Sequence, residues 1–163
     1  MLAVMIIALA LLALELTNIL SYRVIKRRIL KRQRWGLNIC CGFSDGGGVN
    51  ADIVRHKDVP NFVLVDDICR LPFRDEEFET VLCSHTMEHV DEPDRFFAEL
   101  RRVGRSVTIV VPPLWDLFAM VNLWEHKWIF LSFRKEHTDG LPRRVRLPLS
   151  RRVQRLFGQR IDG

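Results

Sequence analysis

Five short apolar runs constrain this chain most: Leu37–Cys41, Val49–Ile53, Phe62–Asp66, Glu79–Ser84 and Ser106–Val111. Each is too short for a globular helix and lacks strict alternation, so each reads as a strand covered on both faces of a parallel sheet. After the fourth run, Pro93 opens an amphipathic helix. Asp91 and Glu92 suit its positive N-terminal end, and Phe96, Phe97, Leu100 and Val103 form its inner stripe. Strand, helix and strand in this order make a crossover unit of a parallel sheet.

The expected fold class is therefore α/β. It is a Rossmann-like parallel sheet of order 3-2-1-4-5, truncated at its C-terminal end, with ligands at the carboxyl ends of strands 1 and 4. One local rule is broken. Only Gly42–Gly48 separates strands 1 and 2, fewer residues than the dozen or so a parallel crossover normally takes. Either a Gly-rich loop replaces the first helix, or Val49–Ile53 pairs differently.

Met1–Leu20 is apolar except for Glu15, Thr17 and Asn18. Twenty helical residues span ~30 Å, the thickness of the hydrocarbon layer. An acid at the centre of a span costs roughly 2.5–3.5 kcal/mol, but Glu15 is off-centre and the aliphatic residues offset it. No Lys or Arg precedes the stretch, whereas Arg23, Lys26, Arg27, Arg28, Lys31, Arg32 and Arg34 follow it. That charge order argues against a cleaved signal peptide and puts the rest of the chain in the cytoplasm. A transmembrane anchor (1–22) is expected, with a helix lying in the membrane plane or against the domain as the alternatives. A basic juxtamembrane helix (23–35) follows, suited to anionic lipid.

The charge is partitioned. Residues 1–35 carry +6, residues 36–133 carry −7 and residues 134–163 carry +6. An acidic middle has no general affinity for polyanions. Four cysteines (Cys40, Cys41, Cys69, Cys83) lack Cys-x-x-Cys pairing and matched histidines, so reduced thiols are expected and no metal site. After the core (36–113) comes an aromatic segment and basic tail (114–163). Its Trp115, Phe118, Trp124, Trp128, Phe130 and Phe133 suit a core, a lid over a pocket or a surface at lipid headgroups.

The chemistry-bearing residues stand at strand ends. Gly42 closes Leu37-Asn38-Ile39-Cys40-Cys41-Gly42, a turn that lets backbone amides approach a ligand. Asp52 ends the second strand, where a carboxylate accepts from ribose hydroxyls or caps a turn. Asp66-Asp67 ends the third and precedes Leu71-Pro72-Phe73 and the acidic turn Asp75-Glu76-Glu77. Ser84-His85-Thr86-Met87-Glu88-His89-Val90 follows the fourth, and His85 is a candidate general base.

This order, over about Leu37 to Pro113, resembles the class I S-adenosylmethionine-dependent methyltransferases, in their compact small-molecule or glycan-type branch. The resemblance implies S-adenosylmethionine as cofactor. Asn38, Cys40 and Gly42 would sit beside its amino acid part, Asp52 at the ribose, Asp67 at the adenine amino group and Ile68 against the ring. Ser84 and His85 would stand at the transfer point. Asn38 occupies the place of the usual acid and Cys40 that of the first glycine. Glu88-His89 matches a Glu-His pair of that branch, with orienting the loop as open a role as catalysis. An Asn/Asp-Pro-Pro-Tyr/Phe motif is missing, which argues against exocyclic base or glutamine nitrogens as acceptors.

Three functions follow as expectations. The first is a single-pass membrane methyltransferase acting at the cytoplasmic face on a small, glycan or lipid-linked acceptor. The second is a nucleic-acid methyltransferase gripping phosphates with its basic ends; those ends flank a membrane span more naturally, so nucleic acid is disfavoured as a partner. The third is a degenerate, non-catalytic membrane scaffold.

Overall fold

A computed structural model describes residues 1–159; the last four residues of the expected 114–163 segment lie outside the described residues. The expected strands form as β1 (Leu37–Ile39), β2 (Val49–Asp52), β3 (Phe62–Leu64), β4 (Phe78–Ser84) and β5 (Gly104–Val110). Three further short strands follow: β6 (Trp128–Phe130), β7 (Glu136–Thr138) and β8 (Arg144–Arg146). Among the described residues the main sheet runs β3-β2-β1-β4-β5-β7, and β6 pairs with β8 separately. All neighbours in the main sheet are parallel except β5 and β7, so the sheet continues one antiparallel strand beyond the five expected.

The short connection between β1 and β2 is real, and the two strands pair in parallel, Leu37 opposite Val49. Residues 40–48 cross in turns and bends rather than in a helix. Glycine makes this possible by letting backbones touch. A Cβ on Gly48 would lie 2.2 Å from the Trp35 carbonyl oxygen and 2.5 Å from that of Gly36. The backbone is tied on both sides of this contact, because Trp35 N–H donates to Gly46 O and Val49 N–H to Gly36 O. Gly48→Ala is expected to lower stability by about 3 kcal/mol, the upper end for a forced methyl, read as a lower midpoint in chemical unfolding. An unchanged midpoint would mean that the loop yields.

Helix α3 (Pro93–Val103) packs Phe96, Leu100 and Val103 into the main core, as its stripe predicts. A second buried cluster joins Leu82 and Val110 of the sheet to Trp35 and Ile29, with Ile25 and Leu30 packed against it. These last residues belong to the N-terminal helix. It is continuous over Leu2–Lys31, comprising α1 (Leu2–Ile19), a π-helical stretch (Leu20–Lys26) and α2 (Arg27–Lys31). Its two halves differ. No residue of α1 is buried, and the helix is long and apolar enough to cross a membrane. From Asn18 onward it is docked to the domain. Asn18 Nδ2 donates to Asp116 Oδ1 at 3.3 Å, and buried Ser21 receives Lys135 Nζ at 2.7 Å.

Two short helices complete the described chain, α4 (Leu117–Met120) and α5 (Ser150–Phe157). The aromatic segment divides between roles. Phe130 is core, whereas Phe118 and Trp124 are exposed, Trp124 with its ring 5.3 Å from that of Phe157.

Candidate active site

The carboxyl ends of β1, β2 and β4 open into one cavity of about 570 Å³, within the size range of small-molecule sites. Seven of the eight expected site residues border it. Asn38 comes from β1, Cys40 and Gly42 from the turn that follows, and Asp52 from the end of β2. Ile68 comes from the loop after β3, and Ser84 and His85 from the end of β4. Asp67 is not among them. It is exposed, and its Oδ1 accepts from Cys69 N–H at 2.8 Å, so the carboxylate caps its own loop.

Asp52 is buried and organises the rim. Its Oδ2 accepts from Gly42 N–H at 2.9 Å and its Oδ1 from Ile53 N–H at 2.8 Å. Each oxygen keeps a further lone pair. Asn38 instead braces the loop from within. Its amide donates to Ser44 O and to Asn50 Oδ1, which ties the Gly-rich loop to the sheet. Cys40 is a wall of the cavity and leaves it open. Burial pushes its thiol well up, so it stays neutral. Its backbone and that of His85 both lie in the left-handed region, at φ 51° and 57°. Such strain in non-glycine residues gathers at functional sites, and here it stands at the ends of adjacent strands.

His85 is held from behind by a carboxylate. Its Nδ1 lies 3.1 Å from Glu88 Oε1, and both residues are buried. Burial pushes the imidazole well below its usual pKa and keeps it neutral. Burial alone would raise Glu88, but the hydrogen bond from His85 and the neighbouring imidazoles draw it below the usual carboxylate range. Nδ1 faces an ionised acceptor and so carries the ring proton, leaving the lone pair on Nε2. Neither that Nε2 nor Ser84 Oγ finds a partner among the described residues, although both are buried. Orphaned polar atoms at a cavity wall are what a bound ligand would satisfy.

The cavity also has walls that no motif announced. Tyr22, Lys26 and Leu30 border it from the N-terminal helix, and Glu125, Lys127 and Gln159 from the other end of the chain. Tyr22 lies in the π-helical stretch with its ring 4.4 Å from that of His85; such irregular turns recur at functional sites. Lys26 Nζ stands 4.7 Å and Lys135 Nζ 5.3 Å from the same tyrosine ring. Burial brings Lys135 down to about 8.

Residues 45–111 match the family model of the methyltransferase domain. That methyltransferase-like segment begins in the loop after β1 and ends beyond β5, and it carries Asp52, Ile68, Ser84 and His85. Solved structures similar to the chain include the following three. A Pyrococcus horikoshii protein is 19% identical over 75% of this chain and 73% of its own, at a TM-score of 0.45. A SAM-dependent methyltransferase from Thermotoga maritima is 18% identical over 58% and 55%, at 0.45. Another from Aquifex aeolicus is 14% identical over 59% and 68%, at 0.43. The chain spans about half the length of several solved proteins it matches. None of the curated proteins matches it significantly.

Proposed function

We propose that the chain transfers a methyl group from S-adenosylmethionine to a small, glycan or lipid-linked acceptor at the cytoplasmic face of a membrane. The observation that carries the reading is the convergence of residues from the ends of three neighbouring strands, with Ile68 beside them, on one cavity of nucleoside-accommodating size. The residues fit such a cofactor. Gly42 offers a turn without a side chain, Asp52 has unused lone pairs for hydroxyl donors, Ile68 is an apolar wall, and Ser84 Oγ is buried without a partner among the described residues.

When bound, S-adenosylmethionine supplies a methyl group on a positively charged sulfur. The chain aligns the acceptor and manages its proton. Neutral His85, fixed by Glu88, takes the acceptor proton on Nε2; burial makes it a weak base, and the Glu88 carboxylate offsets this by stabilising the resulting imidazolium. Tyr22, Lys26 and Leu30 supply the wall nearest the apolar helix.

That wall favours a lipid-linked acceptor within the proposed class. With the α-helical rise of 1.5 Å per residue as an upper bound for this π-helical stretch, Tyr22 lies at most ~3 Å and Lys26 at most ~9 Å beyond the end of the apolar stretch at Leu20. Those distances fall at headgroup depth if α1 spans the bilayer, and the basic residues that follow favour the cytoplasmic side.

Calorimetric titration of the detergent-solubilised full chain with S-adenosylmethionine tests the cofactor: saturable heat near one equivalent is expected, and its absence rejects the reading. His85→Asn should then lower turnover at least ~100-fold, the scale of a lost general base, with cofactor affinity unchanged. Equal turnover in the variant would reduce His85 to a wall.

A further inference from the structure

We infer that Glu88, His89 and His126 form a binding site for a divalent transition-metal ion of the zinc type. One ligand atom from each residue lies within 4.8 Å of the others. Glu88 is fully buried, His126 is 5% exposed and His89 is half-buried, so this is no chance gathering of surface groups. The two imidazoles meet edge to face with ring centroids 4.8 Å apart.

Two atoms of this group lack what a buried polar atom requires. Glu88 Oε2 and His126 Nδ1 are both buried, and neither has a hydrogen-bond partner among the described residues. Leaving such groups bare costs about 1–3 kcal/mol each, more when charged. A chain that buries both beside a third donor has a use for their lone pairs.

The other side of two of the residues is already held. Glu88 Oε1 faces His85 Nδ1 at 3.1 Å, and His89 Nδ1 faces the Glu125 carbonyl at 3.2 Å. A carbonyl only accepts, so His89 carries its proton on Nδ1 and presents a lone pair at Nε2. For His126 the free lone pair is at Nδ1. A carboxylate and two imidazoles, with Glu88 and His89 each oriented by an outer hydrogen bond, are the kind of arrangement by which proteins aim metal ligands. Three such lone pairs repel one another unless a cation lies between them.

The donor set selects the ion. Two imidazole nitrogens and one carboxylate oxygen suit zinc and its divalent neighbours, whereas magnesium and calcium prefer oxygens alone. Three protein donors leave a four-coordinate ion one further position. His89 and Glu125 border the cavity, so the ion would sit at its wall. It would also clamp the loop after β4 to the segment before β6, which already meet where Lys127 N–H donates to Glu88 O at 2.7 Å. The site involves none of the four cysteines. It stands or falls without the cofactor, so its failure and that of methyl transfer are separate results.

The test uses the untagged full chain in detergent, stripped with a chelator and dialysed against Zn²⁺, with bound metal measured by mass spectrometry. One Zn²⁺ per chain is expected; a wild-type chain that retains none overturns the site. In the Co²⁺-loaded wild type, visible d–d bands without a sulfur-to-metal charge-transfer band support it, and a strong charge-transfer band overturns it by putting the ion on cysteine. Glu88→Gln and His126→Asn should each lose the ion while keeping the wild-type circular dichroism. His89→Asn serves if either fails to fold. Stoichiometric Zn²⁺ in the folded variants overturns the assignment.

Discussion

Asp52→Ala is expected to weaken S-adenosylmethionine binding by ~100-fold or more, to the edge of detection in a calorimetric titration. The side chain has two duties in one place. Its oxygens accept from Gly42 N–H and Ile53 N–H, fixing the loops after β1 and β2 relative to each other. The same buried carboxylate borders the cavity, with lone pairs left for hydroxyl donors. A hydrogen bond to a charged group contributes about 1.5–3 kcal/mol, and 1.4 kcal/mol is tenfold in affinity, so two lost bonds suffice. Asp52→Asn should fall between the wild type and alanine, because its oxygen still receives one amide while its NH₂ group opposes the other. Wild-type affinity in the alanine variant would remove Asp52 from the site. Its thermal midpoint, measured alongside, separates lost binding from a lost fold.

Deleting residues 1–34 is expected to unfold the domain rather than free it from a tether. Ile25, Ile29 and Leu30 cover Trp35, Leu82 and Val110, and Trp35 Nε1 donates to Leu30 O at 3.0 Å. Fully burying one such aliphatic side chain contributes about 1.5–3 kcal/mol. Even with two only partly covered, the loss is roughly 5 kcal/mol, comparable to the net stability of a small domain. The deletion also strands Lys135, whose Nζ donates to Ser21 Oγ. A fragment beginning at Trp35 should therefore give no cooperative thermal transition by circular dichroism, whereas one beginning at Thr17 should give one. Equal midpoints for the two fragments would make the helix a passive leash.

Gly42 and Asp52 stood out in the residues because a glycine at a strand end lets amides approach and an acid at the next strand end accepts from hydroxyls or caps a turn; the structure brings both to the cavity. The resemblance also placed Asp67 at the adenine amino group, but a motif carries no information on which way a loop carboxylate turns, and Asp67 turns to its own Cys69 amide. Strands β1, β2, β4 and β5 were legible because a strand buried on both faces reads as an apolar run; β3, also expected to be covered on both faces, lies at the sheet edge half-buried with Leu64 exposed. The antiparallel β7 was not. Glu136-His137-Thr138 is short and polar, joined to Thr108–Val110 through backbone pairing that leaves no side-chain pattern. The loop between β1 and β2 was visible as a broken rule, and only the close backbone approach at Gly48 explains how the rule is evaded.

The amino-acid order alone determined the parallel sheet, the long apolar helix, and which candidate binding residues stand at the strand ends. These follow from hydrophobic period and turn residues, which are properties of neighbours in the chain. Only tertiary structure decided that the basic stretch after the apolar helix covers the sheet and walls the cavity. It also decided that Tyr22 meets His85, and that His126 joins Glu88 and His89. Contacts such as Lys135 to Ser21, 114 residues apart, depend on how finished elements pack, and that packing energy is written in no local pattern.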